Sequence, residues 1–229
     1  MKFSQAILSE NARGFAAVIP DIKCISPKEG DLLRGRDPVN TARHLTECGA
    51  PVLSVVTERE KFGGSLGLLR AVAEIGVPVL RKDFIMEEAQ LHETLEMGAA
   101  AVLLICATTE PMVLIQLYER ALELGLEPLV EVCTAEEMRF ACGLGAGLIG
   151  INNRNIATLE MDSGGPSRTA ELAAMAPKDA VLISESGIMT PQDAMQAVTA
   201  GANAVLVGTA LWQADDMEEA YRGLLCALS

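Results

Sequence analysis

Eight short, nearly uninterrupted apolar runs punctuate the chain, at 15–22 (FAAVIPDI), 51–56 (PVLSVV), 77–82 (VPVLRK), 100–105 (AAVLLI), 127–132 (EPLVEV), 146–151 (AGLIGI), 180–185 (AVLISE) and 203–208 (NAVLVG). A strand with one wet face alternates apolar and polar residues. A strand covered on both faces has no such need. These runs hardly alternate, so each predicts a strand buried on both sides. Helical patterns lie between and after them, at 38–48, 65–75, 87–97, 110–124, 135–144, 166–176, 191–200 and 217–225. Asp37 and Ser65 stand where N-caps belong, and Pro38, Pro111 and Pro191 suit first-turn positions. The glycines of EMGA, ELGL, GLGA and TAGA stand where helices end.

Eight strand–helix units in 229 residues favour a sheet that closes on itself. The predicted fold is α/β: a single (β/α)8 TIM barrel spanning 1–229 as one catalytic domain, with a shortened N-terminal extension of about 14 residues before the first strand. An open doubly wound sheet is the alternative, but no GxGxxG follows the first run. Half of the residues are hydrophobic and only 3% aromatic, so the core is aliphatic.

A net charge of −13 argues against nucleic-acid or anionic-membrane partners, which select basic surfaces. It leaves room for a phosphate, because backbone N–H groups hold one at any net charge. The six cysteines form no CxxC and no evident Cys/His ligand set, which reads as reduced thiols in a cytoplasmic protein. His44 and His92 both fall in helical patterns, so neither a metal nor another cofactor is expected. The N-terminal residues have no apolar signal-peptide core, and the apolar runs are too short to span a bilayer.

Barrel active sites lie at the C-terminal ends of the strands. Polar residues gather there: Asp21 and Lys23 after the first run, then Arg81, Lys82 and Asp83, Glu131 within the fifth, Asn152 and Arg154, and Glu185 and Ser186. Asp21 and Lys23, two apart, share a strand face. Carboxylates and amines converging on one rim shift one another's ionisation, which suits acid–base chemistry. Ser186-Gly187 and Gly208-Thr209 open the last two loops, and a short helical turn follows at 209–213. Small residues in those two loops are the usual phosphate site of such barrels.

The segments IKxxSP (22–27), FGGS (62–65), PVLRKDF (78–84), LVEV (129–132), IGINNR (149–154), SESGI (184–188) and LVG (206–208) together resemble indole-3-glycerol-phosphate synthase of tryptophan biosynthesis. The resemblance implies a carboxy-lyase that turns 1-(2-carboxyphenylamino)-1-deoxyribulose 5-phosphate into indole-3-glycerol phosphate, carbon dioxide and water. It implies no cofactor, a small phosphorylated substrate, and association with other tryptophan-pathway enzymes. By the same resemblance Lys82 is the general acid of ring closure and Glu131 its partner in dehydration. Lys23 pairs with the substrate carboxylate and Asp21 stands beside it. Asn152 and Ser186 touch the substrate, with Glu185 orienting them and Arg154 in the ion-pair network. Ser26, Gly187, Gly208 and Thr209 match phosphate positions, while Pro27, Phe62 and Phe84 form the slot for the anthranilate ring.

Three departures from the family pattern are visible. Asp21 replaces the Glu of an E-I-K motif, Lys28-Glu29 replaces a Ser-containing turn, and the segment before the first strand is shorter, which predicts an open, wetter site. The competing readings are another phosphosugar lyase or isomerase on the same barrel, and a weakly active homologue that binds substrate or a partner.

Overall fold

The computed structural model describes residues 1–154 and 165–228. The chain opens with helix α1 (Phe3–Ala12) and strand β1 (Ala17–Ile22), then a hairpin of β2 (Ile25–Ser26) and β3 (Gly30–Asp31). The alternating units follow: α2 (Pro38–Glu47), β4 (Leu53–Val56), α3 (Leu66–Ala73), β5 (Val79–Lys82), α4 (Glu88–Glu96), β6 (Ala101–Ile105), α5 (Pro111–Glu123), β7 (Glu127–Val132), α6 (Ala135–Leu144) and β8 (Leu148–Asn152). The last part holds α7 (Ser167–Leu172), β9 (Val181–Glu185), α8 (Pro191–Thr199), β10 (Ala204–Val207), α9 (Thr209–Gln213) and α10 (Met217–Gly223). Eight strands pair in parallel in the order β1-β10-β9-β8-β7-β6-β5-β4, and β4 pairs with β1 to close the barrel.

All eight predicted strands are present: most are a residue or two shorter at an end, Glu127–Val132 matches its run, and Leu148–Asn152 reaches one residue further. The expected caps also form: the Asp37 and Ser65 side chains accept from Asn40 N and Leu68 N. Gly98, Gly125, Gly145 and Gly201 take the positive φ that ends a helix without a Cβ clash. The sequence reading missed α1 and the β2–β3 hairpin. Only Phe3, Ala6 and Ile7 of α1 are buried, too narrow a stripe to announce a helix.

Strand alternation divides the interior into two layers of apolar packing. Outward-facing residues such as Val18, Val55, Val130 and Ile149 pack under the helices. Inward-facing Ala17, Ile19, Leu80, Ala101, Leu103, Leu129, Leu148, Val181, Ile183, Ala204 and Leu206 fill the lumen. Phe3, Ala6 and Ile7 join this second cluster. Helix α1 therefore stoppers the N-terminal mouth, where Ser4 N also donates to the Glu127 carboxylate at 3.1 Å. It does not lie over Phe62 and Phe84 at the opposite mouth. Among the described residues no helix is long and apolar enough to cross a membrane.

Candidate active site

The alternation that fills the lower lumen with aliphatic side chains brings polar ones to its upper rim. Continuing the inward series of Ile19, Leu80, Leu129, Leu148, Ile183 and Leu206 by two residues gives Asp21, Lys82, Glu131, Gly150, Glu185 and Gly208. Two further steps on β1 and β8 reach Lys23 and Asn152.

Lys82 owes its direction to its neighbour. Arg81 is buried on the outer face of β5, donating to Thr57 Oγ1 (3.1 Å), Gln90 O (2.8 Å), Thr94 Oγ1 (3.1 Å) and Asp83 Oδ2 (3.1 Å). Thr57 Oγ1 donates to the same Asp83 oxygen at 2.6 Å, and Asp83 Oδ1 accepts from Phe84 N at 2.8 Å. With Arg81 locked between β5 and α4, Lys82 points the other way, into the lumen.

Glu131 and Glu185 meet there, 2% and 0% exposed. Burial, which disfavours a charged carboxylate, raises both above the ordinary range, and Glu185 is raised well above it. The charge of Lys82 opposes the shift at both, and the Glu131 charge adds to it at Glu185. Asn152 and Glu185 sit close enough to Glu131 to favour its charged form. Among the described residues neither Glu185 oxygen has a hydrogen-bond partner. Two touching carboxyls out of water do not both ionise. Glu185, the more strongly raised of the two, is the one that favours its protonated form, with the Lys82 charge opposing the shift at both. Room for Glu185 comes from Gly150: a Cβ there would run into Glu185 Oε1.

Asp21 and Lys23 are each 5% exposed. Asp21 Oδ1 accepts from Ser54 Oγ at 2.6 Å, and its backbone carbonyl accepts from Trp212 Nε1 at 2.9 Å. Lys23 Nζ lies 5.5 Å from the Phe62 ring centre, and Lys61 Nζ lies 5.6 Å from that of Phe84. Both rings are half-buried. The loop bearing Phe62 is held by Glu58, whose carboxylate accepts from Lys61 N and Phe62 N at 2.8 and 3.0 Å. Pro27 is exposed at the hairpin tip, while the buried Ser26 hydroxyl accepts from Lys28 N and Glu29 N at 3.3 Å, turned into its own hairpin. Arg154 is half-buried, its N–H donating to Asn152 Oδ1 at 3.0 Å.

On the other side of the rim, Ser186 and Gly187 both have positive φ, 63° and 73°. The left-handed conformation is costly for serine, and buried Asn153 holds it in place. Asn153 Nδ2 donates to Ser184 Oγ (3.0 Å), Glu185 O (3.0 Å) and Ser186 O (3.2 Å), and its Oδ1 accepts from Thr169 N (3.0 Å) and Thr169 Oγ1 (3.1 Å). Gly208 and Thr209 stand alongside at the start of α9, both half-exposed. A Cβ at 208 would meet Asp21 Cβ at 3.3 Å and Oδ2 at 3.4 Å.

The sequence reading named most of this rim but assigned nothing to Gly150, Asn153 or the Arg81–Asp83–Thr57 knot. Gly150 carries a signal in retrospect, as a lone glycine in a strand marks a close approach. The second Asn of GINNR does not, because its five hydrogen bonds run to the end of β9, to Ser186 after it and to helix α7.

The family model described as "Indole-3-glycerol phosphate synthase" matches residues 1–224. A protein of Kineococcus radiotolerans bearing that name is 44% identical over 211 residues, 92% of this chain and 76% of the relative. The Pyrococcus furiosus relative is 44% identical over 203 residues, 88% of each chain, and that of Thermococcus kodakarensis 43% over 210 residues, 91% of this chain and 92% of the relative. Both bear the same name. The chain belongs to the indole-3-glycerol phosphate synthase family.

Proposed function

We propose that the chain closes the indole ring of indole-3-glycerol phosphate from 1-(2-carboxyphenylamino)-1-deoxyribulose 5-phosphate, with loss of carbon dioxide and water. The observation that carries the reading is the buried rim in which Lys82 faces a carboxyl pair, Glu131 and Glu185. When the aromatic carbon attacks the substrate carbonyl carbon, negative charge develops on the carbonyl oxygen. Lys82 Nζ delivers a proton there, and the low-polarity lumen strengthens that transfer. Glu131, ionised beside Lys82, serves as the carboxylate of the dehydration. Glu185 sets its position and holds the second proton. Asn152 and Ser186 contact the substrate.

Lys23 draws the carboxylate that leaves as carbon dioxide, and Phe62 and Phe84 flank the anthranilate ring, with Pro27 at the outer edge of that slot. The phosphate is the remote handle, held by backbone N–H groups of Gly187, Gly208 and Thr209, with Ser26 on the facing hairpin and Arg154 in the surrounding charge network. Binding energy from that end aligns the two reacting carbons, a proximity effect. All six cysteines are free thiols, which supports a cytoplasmic enzyme. Association with other enzymes of the pathway rests on the family resemblance.

Indole fluorescence tests the proposal when purified chain meets the deoxyribulose substrate. The expected result is indole-3-glycerol phosphate formed together with an equal amount of carbon dioxide. Tight binding of the substrate with no product would leave the chain a binding protein and remove the enzymatic reading.

A further inference from the structure

On the outer helical layer, far from the lumen chemistry, His44 and Cys48 lie one turn apart on one face at the end of α2. Glu218, in the first turn of α10, reaches the same point. His44 Nε2 is 3.7 Å from Cys48 Sγ and 3.9 Å from Glu218 Oε2, and the three ligand atoms lie within 4.8 Å of one another. The other carboxylate oxygen of Glu218 is taken by Arg222 Nη2 at 2.6 Å, which leaves Oε2 turned towards His44.

We propose that His44, Cys48 and Glu218 form a zinc site that clasps α2 to α10. The ligand types fit zinc, which accepts imidazole nitrogen, thiolate sulfur and carboxylate oxygen in tetrahedral sites, with water in the fourth position. The spacing fits as well. With a Zn–S distance of about 2.3 Å and Zn–N and Zn–O of about 2.05 Å, tetrahedral edges come to about 3.6 Å for N···S and about 3.3 Å for N···O. The two His44 separations, 3.7 and 3.9 Å, exceed these by tenths of an ångström, and the Cys48–Glu218 edge lies within 4.8 Å, so rotation of the partly exposed side chains closes the set on an ion.

The site's place in the fold gives it a consequence. Helices α2 and α10 bury residues in one cluster, with Ala42 and Leu45 of the first beside Met217 and Tyr221 of the second. They follow the strands β1 and β10, whose pairing joins the beginning of the barrel to its end. Zinc therefore closes the seam from outside, stabilising the fold by mass action and leaving the reaction rim untouched. The sequence hid the site because its third ligand stands at the other end of the chain.

The test uses the full chain stripped by chelator and titrated with Zn2+ in a non-coordinating buffer. Expected are one zinc per chain with a Kd of about 1 µM or tighter, and a thermal midpoint that rises by several degrees at about 100 times that concentration. Co2+ in its place gives tetrahedral ligand-field bands and a thiolate-to-metal charge-transfer band. His44→Ala and Cys48→Ser weaken binding at least tenfold and abolish the charge-transfer band, whereas Cys142→Ser, a thiol on α6, leaves both intact. In the unmutated chain, bound zinc protects Cys48 from alkylation, which keeps the test valid should a variant fold poorly. Binding weaker than about 100 µM, affinity kept in Cys48→Ser, or Cys48 alkylated equally with and without zinc would overturn the site and leave a plain His44–Glu218 surface contact.

Discussion

Adding one methyl group at Gly150 tests whether the carboxyl pair is held in place by packing. The new Cβ would rest at ordinary contact from Leu129 Cδ1 (3.4 Å) and Glu185 Cδ (3.5 Å), but inside the van der Waals radius of Glu185 Oε1. Relief requires that oxygen to move by about 1 Å, because strand β8 is hydrogen-bonded on both sides and yields less than a side-chain end. Overpacking of this kind costs roughly 1–3 kcal/mol of stability, a fall of about 2–10 °C in Tm for a chain of this size. A 1 Å error in a reacting constellation costs on the order of 10²-fold in rate. Gly150→Ala is thus expected to melt cooperatively and bind substrate, with kcat reduced about 10–100-fold, read by indole fluorescence alongside thermal unfolding. Combining it with Glu185→Asp, which withdraws the carboxyl by one methylene, should cost less than the two single losses together. If Gly150→Ala keeps kcat within about threefold of the parent, or the two losses simply add, Glu185 is not positioned by this contact.

Three further outcomes follow from the rim. The Asp21 carboxylate is occupied by Ser54 and closed in by Gly208, so Asp21→Asn should keep kcat within about tenfold and shift its pH profile, while Asp21→Glu should lose stability through overpacking. A fall of more than about 10²-fold in Asp21→Asn would put this carboxylate in the proton transfer itself. Gly208→Val should raise KM and also lower kcat, because its side chain strikes Asp21 as well as the phosphate approach; unchanged phosphate affinity by calorimetry would place that ligand elsewhere. Glu185 keeps its proton in the folded chain above the pH at which the unfolded chain releases it. Its contribution to stability is present in full below about pH 4.3 and is lost as pH rises from there through the raised folded value. Glu185→Gln should flatten that part of the Tm–pH curve, and an identical slope in both proteins would mean that Glu185 is ionised when folded.

The barrel was legible because its strands are covered on both faces: runs such as AAVLLI and AVLISE have no second reading at that length and spacing. Lys82, Glu131 and Glu185 were legible for a related reason, since a charge inside such a run has no solvent to face and must point at a site or a partner. What supports them was not. Asn153 and the Arg81–Thr57–Asp83 knot act through hydrogen bonds between segments far apart in sequence, and Gly150 acts through the absence of a side chain. Ser26 was read as a phosphate position from the motif alone; that its hydroxyl also accepts the backbone N–H groups of its own hairpin was not legible. Helix α1 escaped notice because three buried residues suffice to stopper a narrow lumen.

The central claim is that a lysine aimed into the lumen by its neighbours delivers the proton of ring closure. Lys82→Met keeps the aliphatic stem and removes the acid. Single-turnover indole fluorescence with the deoxyribulose substrate, on protein whose melting and substrate affinity match the parent, reads that step alone. The account predicts a loss of about 10²–10⁴-fold. A loss smaller than about tenfold would contradict it and move the proton donor to another group on the rim.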